Sequence, residues 1–153
     1  MTAPERAPIV EIERALQAKS AWIERKLREW KERPTVEGSP STAAEIRALK
    51  RQAKTLLSER LAQFHQRHGC APTRWSLSSA RTRWGSCSAS GHVRLNWRLV
   101  HLPIELVDYV IAHELAHLSE LNHSPRFWQR VEALYPSWRE HRAALRAYRL
   151  ALD

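Results

Sequence analysis

The run His113-Glu114-Leu115-Ala116-His117, with a third histidine at His123, constrains this chain more than any other feature. Residues four apart lie on one face of a helix, so both outer imidazoles can reach a single cation. Glu114 lies about 100° round the axis from His113. The pattern therefore demands a helix through 113–117, a reversal after it, and a return of the chain that brings His123 to the same point. Zinc takes neutral imidazole nitrogen at about 2.0 to 2.1 Å, and catalytic sites use three protein ligands with water in the fourth position. The spacing predicts one Zn2+ held by His113, His117 and His123, with Glu114 as the general base towards a water whose pKa the metal lowers to about 7. The bland alternative is two solvated helix histidines and an unrelated loop histidine; a third histidine at this spacing makes that coincidence harder to sustain.

The ligand spacing matches that of metzincins, but Glu120 stands where those have glycine, and the only methionine is Met1, so no methionine turn can be built. Asn122 tolerates left-handed backbone better than Glu120 or Leu121, and the bend is expected near it.

A length of 153 residues with 43% apolar side chains suits one compact domain. Within it, residues 1–69 read as an N-terminal helical segment and 70–153 as the catalytic core. No apolar run approaches a membrane span, and the charged start is no signal peptide. With two cysteines, Cys70 and Cys87, a disulfide framework is not indicated, which agrees with a soluble, cytoplasmic protein. A second metal site from His65, His68, Cys70 and Cys87 fits no standard zinc spacing. The net charge of +9 comes from twenty arginines and five lysines, a balance that favours polyanions such as nucleic acid without identifying a site.

Ile9, Ile12, Leu16, Ile23, Leu27 and Trp30 recur at helical spacing before a linker from Pro34 to Pro40. A capping box, Thr42 with Glu45, opens a second helix that ends at Gly69. From 71 to 102 the period becomes two, with Trp75 and Leu77, then Thr82 and Trp84, then Val93, Leu95 and Trp97, which predicts a three-strand antiparallel meander. Pro103 starts the metal helix, with Ile104, Val107, Val110, Ile111, Leu115 and Leu118 towards the core. Ser124-Pro125 starts a short helix containing Phe127, Trp128, Val131 and Leu134. Ser137 with Glu140 forms a further capping box for a last helix through Leu145 and Tyr148. The fold class expected is α+β, a small antiparallel three-strand sheet on the His-Glu-x-x-His helix with helices before and after.

Arg83-Trp84-Gly85-Ser86-Cys87, Leu95-Asn96-Trp97-Arg98-Leu99, the run from Tyr109 to Leu118, and Asn122-His123-Ser124-Pro125-Arg126-Phe127-Trp128 together resemble the YgjP-like zinc metallopeptidases, a family similar to SprT-like proteases within the zincin class. The resemblance covers about residues 70 to 150. It implies a zincin-like fold, a cytoplasmic setting, His113, His117 and His123 as ligands, and Glu114 as the catalytic carboxylate.

The leading reading is a zinc-dependent peptidase acting on a peptide or protein laid along an exposed strand. Tyr109, Asn96, Arg98, Tyr135 and His141 are candidates to stabilise the oxyanion. Asp108 and Asp153, the only aspartates, are candidates to support the histidines from behind. Trp75, Trp84 and Trp97 beside Arg81, Arg83, Arg94 and Arg98 could stack bases, although tryptophans in small sheets are usually core. Two alternatives remain: a metal-dependent nucleotide phosphoanhydride hydrolase, and a non-enzymatic, zinc-stabilised nucleic-acid adaptor. Oligomeric state is not legible in the sequence.

Overall fold

The computed structural model describes residues 42–148 and, before them, Ser20, Glu24, Arg25 and Arg28, all four helical. The chain divides after Arg33 into two units. The apolar stripe expected from Ile9 to Trp30 lies outside the described residues.

Helix α1 (Ala43–His68) begins at the expected capping box: Glu45 N donates to Thr42 Oγ1 at 3.2 Å and Thr42 N donates to the Glu45 carboxylate at 3.1 Å. It ends where Gly69, at φ 66°, takes the left-handed conformation that a residue with a Cβ adopts only at a cost. Its buried stripe, Ala53, Leu57, Leu61 and Phe64, joins the common core.

Three strands follow: β1 (Arg74–Ser78), β2 (Gly85–Cys87) and β3 (His92–Asn96). The sheet is mixed, and this corrects the antiparallel meander. β2 and β3 form an antiparallel hairpin, but β1 runs parallel to β3 on its other edge, giving the order β1-β3-β2. Periodicity shows which residues alternate, and it carries no information on which strands are neighbours. The segment from Ser79 to Trp84 must therefore cross the end of β3, and Asn96 makes the crossing stable. Its side-chain nitrogen donates to the carbonyls of Ala80 (2.7 Å) and Arg83 (3.1 Å), and its Oδ1 accepts from Arg98 N (3.1 Å). A fully buried amide is tolerated because these groups satisfy it.

A 3-10 turn (Trp97–His101) leads into α2 (Ile104–Ala116), which packs against β2, β3, α1 and the two helices that follow it. Val107, Val110, Ile111 and Leu115 are buried as the 3.6-residue period requires, but Ile104 in the first turn is 39% exposed. Arg60 clamps α1 to α2 through a bidentate pair with Asp108, its Nε 2.7 Å from Oδ1.

The chain reverses after α2 without any left-handed residue, since no described non-glycine residue has positive φ. A tight turn at 117–119 unwinds the helix, with Glu120 N donating to the Ala116 carbonyl. The bend then falls at Leu121 and Asn122, where Asn122 Oδ1 accepts from Ser124 N. Helix α3 (Pro125–Leu134) starts with Ser124 as cap and Pro125 in its first turn. Helix α4 (Trp138–Leu145) follows Ser137, but the expected capping box does not form. The Ser137 side chain makes no cap bond, and its carbonyl instead accepts from His141. Among the described residues no helix is long and apolar enough to cross a membrane.

Candidate active site

α2 carries His113 on its last turn and His117 as its C-cap, and the turn beyond returns His123 to them. One ring nitrogen from each of His113, His117 and His123 lies within 4.8 Å of the other two, and among the described residues these form the only such cluster. The Nε2 atoms of His113 and His123 are 3.2 Å apart. Two nitrogens bound tetrahedrally to one zinc at about 2.0 to 2.1 Å would be about 3.3 Å apart, so the spacing fits the ion.

The second nitrogens set the tautomers. A carbonyl only accepts, so His117 Nδ1 must donate to the Glu120 carbonyl at 3.0 Å, leaving Nε2 as a bare lone pair. Tyr109 Oη lies 3.5 Å from His113 Nδ1, at the outer edge of hydrogen-bond range. Burial, together with the neighbouring histidines, pulls His113 down from 6.5 to about 3, and burial likewise lowers His117. Both rings are neutral at pH 7, the form that binds metal.

Phe127 supplies the floor. Fully buried, it stacks on His117 at 4.4 Å between centroids and meets His113 and His123 edge-on at 4.9 and 4.8 Å. It limits the rotation of all three rings at once, in a chain that has no methionine for the purpose. Trp128 adds a second ring 6.0 Å from His123 and stacks in turn on Trp138 at 4.5 Å.

Glu114 points away from the ligand face towards β2, and only 6% of it is exposed. A Cβ built on Gly85 would stand 2.7 Å from its Cγ and 2.8 Å from Oε1, so glycine is what lets the carboxylate lie against the strand. Burial raises Glu114 from 4.5 to about 7, partly offset by Arg83. Glu114 and His113 line a cavity of about 140 Å³ with Trp84, Gly85, Tyr109, Val110 and Leu145.

Of the candidate oxyanion donors, Tyr109 alone lines this cavity. Burial pushes its phenol up to about 12, so it keeps its proton. Asn96 is committed to the crossing loop, Arg98 is buried 4.5 Å over the Trp97 ring, Tyr135 donates to the Glu105 carbonyl, and His141 is turned to Ser137. Asp108 belongs to Arg60, and the Glu120 carbonyl takes the supporting role expected of an aspartate; Asp153 lies outside the described residues. His65, His68, Cys70 and Cys87 form no metal cluster, and both cysteines are free thiols. Trp97 is core, and Trp75 and Trp84 pack against it.

Residues 39–148 match the family model described as YgjP-like, metallopeptidase domain. This chain belongs to the YgjP-like family. The match runs from before α1 to beyond α4, further towards the N-terminus than the motifs that carried the resemblance. The YgjP-like fold is also that of a solved metallopeptidase, the zymogen of Pyrococcus abyssi abylysin, with a TM-score of 0.52 at 23% identity over 58% of this chain and 90% of that one. No curated protein matches the chain. Fold and family together make this YgjP-like protein an α+β, zincin-like domain of the metal-dependent peptidase class.

Reading the sequence missed Gly85 and Phe127 as parts of the site. Gly85 entered only as part of a motif carrying the family resemblance, with no role of its own, and Phe127 was indistinguishable from any apolar residue of an amphipathic helix.

Proposed function

We propose that the protein is a zinc peptidase in which His113, His117 and His123 hold one ion and Glu114 handles the proton. The observation that carries this reading is the buried Glu114 carboxyl, held against Gly85 beside three converging imidazoles. When bound, zinc supplies a Lewis acid that makes water nucleophilic at neutral pH and polarises a carbonyl. Glu114, with its pKa near 7, accepts a proton from the attacking water and returns it to the leaving amine, which is the work of a base tuned to its operating pH. Tyr109, protonated and lining the same cavity, is placed to donate to the oxyanion as it forms.

β2 lies at one edge of the sheet, so its outer side offers unpaired backbone groups to an extended peptide beside Glu114. The substrate is accordingly a peptide or protein segment in extended conformation. Glu114→Gln should retain zinc and lose turnover by at least about 10²-fold, whereas His123→Ala should lose zinc. Metal analysis of both variants, with peptide libraries and nucleoside triphosphates offered in parallel, tests the reading. Full activity of Glu114→Gln, or hydrolysis of the nucleotides alone, would refute it.

A further inference from the structure

The cavity at Glu114 does not end at Tyr109. Trp84, Tyr109 and Leu145 are shared with an adjoining open hollow of about 300 Å³, which Arg142, Arg146 and Tyr148 also line. Arg142 and Arg146 thus line a hollow beside the cavity at Glu114, and no carboxylate among the described residues lines it with them. Neither arginine forms an ion pair among the described residues. Arg142 is braced instead by an aromatic ring, its Cζ lying 4.5 Å over Trp128, which holds the group without neutralising it. Elsewhere in the described chain, partly buried Arg60 has its carboxylate partner. Two arginines with no ion pair among the described residues, in a hollow that shares three lining residues with the cleft, offer the guanidinium donors that recognise a carboxylate.

We propose that Arg142 and Arg146 form a carboxylate-binding subsite of the cleft, which selects peptides bearing an acidic group close to the scissile bond. The inference rests on the peptidase reading and names the substrate class within it. The carboxylate has two sources, an aspartate or glutamate side chain or the free C-terminus of the peptide. Trp84, Leu145 and Tyr148 provide apolar walls for the methylenes on either route.

Binding and turnover are measured separately. Zinc-loaded Glu114→Gln protein is titrated with labelled short peptides of three kinds: an internal glutamate with an amidated C-terminus, an internal glutamine with a free C-terminus, and glutamine with an amide. At least one acidic series should bind about tenfold tighter than the neutral one. Adding Arg142→Gln and Arg146→Gln should bring that ratio close to one, and Arg142→Lys with Arg146→Lys should restore part of it. Arg146→Gln alone, at an exposed position, should lower the ratio without disturbing the fold, which covers the case in which losing the Arg142 contact to Trp128 unfolds α4. The series that binds tighter identifies the source.

Equal binding of acidic and neutral peptides overturns the subsite, as does an acidic preference that survives the double substitution. The same peptides are offered to the zinc-loaded wild-type enzyme. Cleavage without charge preference leaves the peptidase standing and removes the subsite, whereas charge-selective binding with no cleavage of any peptide refutes the peptidase.

Discussion

At the scale of single residues, the site depends on one missing methyl. Gly85 adopts no left-handed conformation; it is needed because the Glu114 side chain fills the space a Cβ would take. Gly85→Ala should displace the carboxylate, with turnover falling by about 10²-fold or more while zinc content stays at one per chain, as measured by metal analysis beside a peptidase assay. The pH dependence of metal-free protein reports the same group. Glu114, raised from 4.5 to about 7, contributes stability below pH 4.5 that is lost as pH rises through 7. His113, lowered from 6.5 to about 3, contributes stability above pH 6.5 that is lost as pH falls towards 3. Between those limits the two oppose each other. Glu114→Gln removes only the first, so its stability relative to wild type should grow as pH rises through 4.5 to 7, by about 3 kcal/mol. Denaturant titrations of both proteins across that range check the sign; a gap that shrinks with rising pH would contradict the burial of Glu114.

At the scale of elements, the metal helix was legible because its period, its two histidines and Pro103 all agree on one assignment. The Thr42 and Glu45 box and the Gly69 cap were legible for the same reason, since each is a local rule satisfied by neighbours in sequence. The parallel pairing of β1 with β3 was not, because it depends on where the loop from Ser79 to Trp84 crosses, and that depends on Asn96, whose partners lie 13 and 16 residues back. The failed Ser137 cap shows a tertiary preference overriding a local one. Asn96→Ala should remove its bonds to the half-buried Ala80 and exposed Arg83 carbonyls and release the crossing, costing about 1 to 3 kcal/mol and reducing turnover through β2; urea unfolding and the peptidase assay read the two effects. Phe127→Ala, at a fully buried position against all three histidines, should cost about 3 to 5 kcal/mol and weaken zinc binding, which competition with a chelating dye would measure.

At the scale of the whole molecule, the proposed metal site and the fold are linked. The three candidate ligands lie between 113 and 123, at the end of the helix that α1, α3 and α4 all touch. Free zinc at about 100 times its Kd should stabilise the protein by about 2.7 kcal/mol, seen as a rise in Tm of several degrees that chelation reverses and His123→Ala lacks. Ligands and floor come from one short stretch, His113 to Phe127, whereas the placement of Glu114 depends on Gly85, almost thirty residues earlier on a different element. If Glu114 acts as proposed, metal occupancy and competence are separable. A preparation with its full complement of metal would still be inert if the hairpin had slipped, so stoichiometry alone would be no assay of activity.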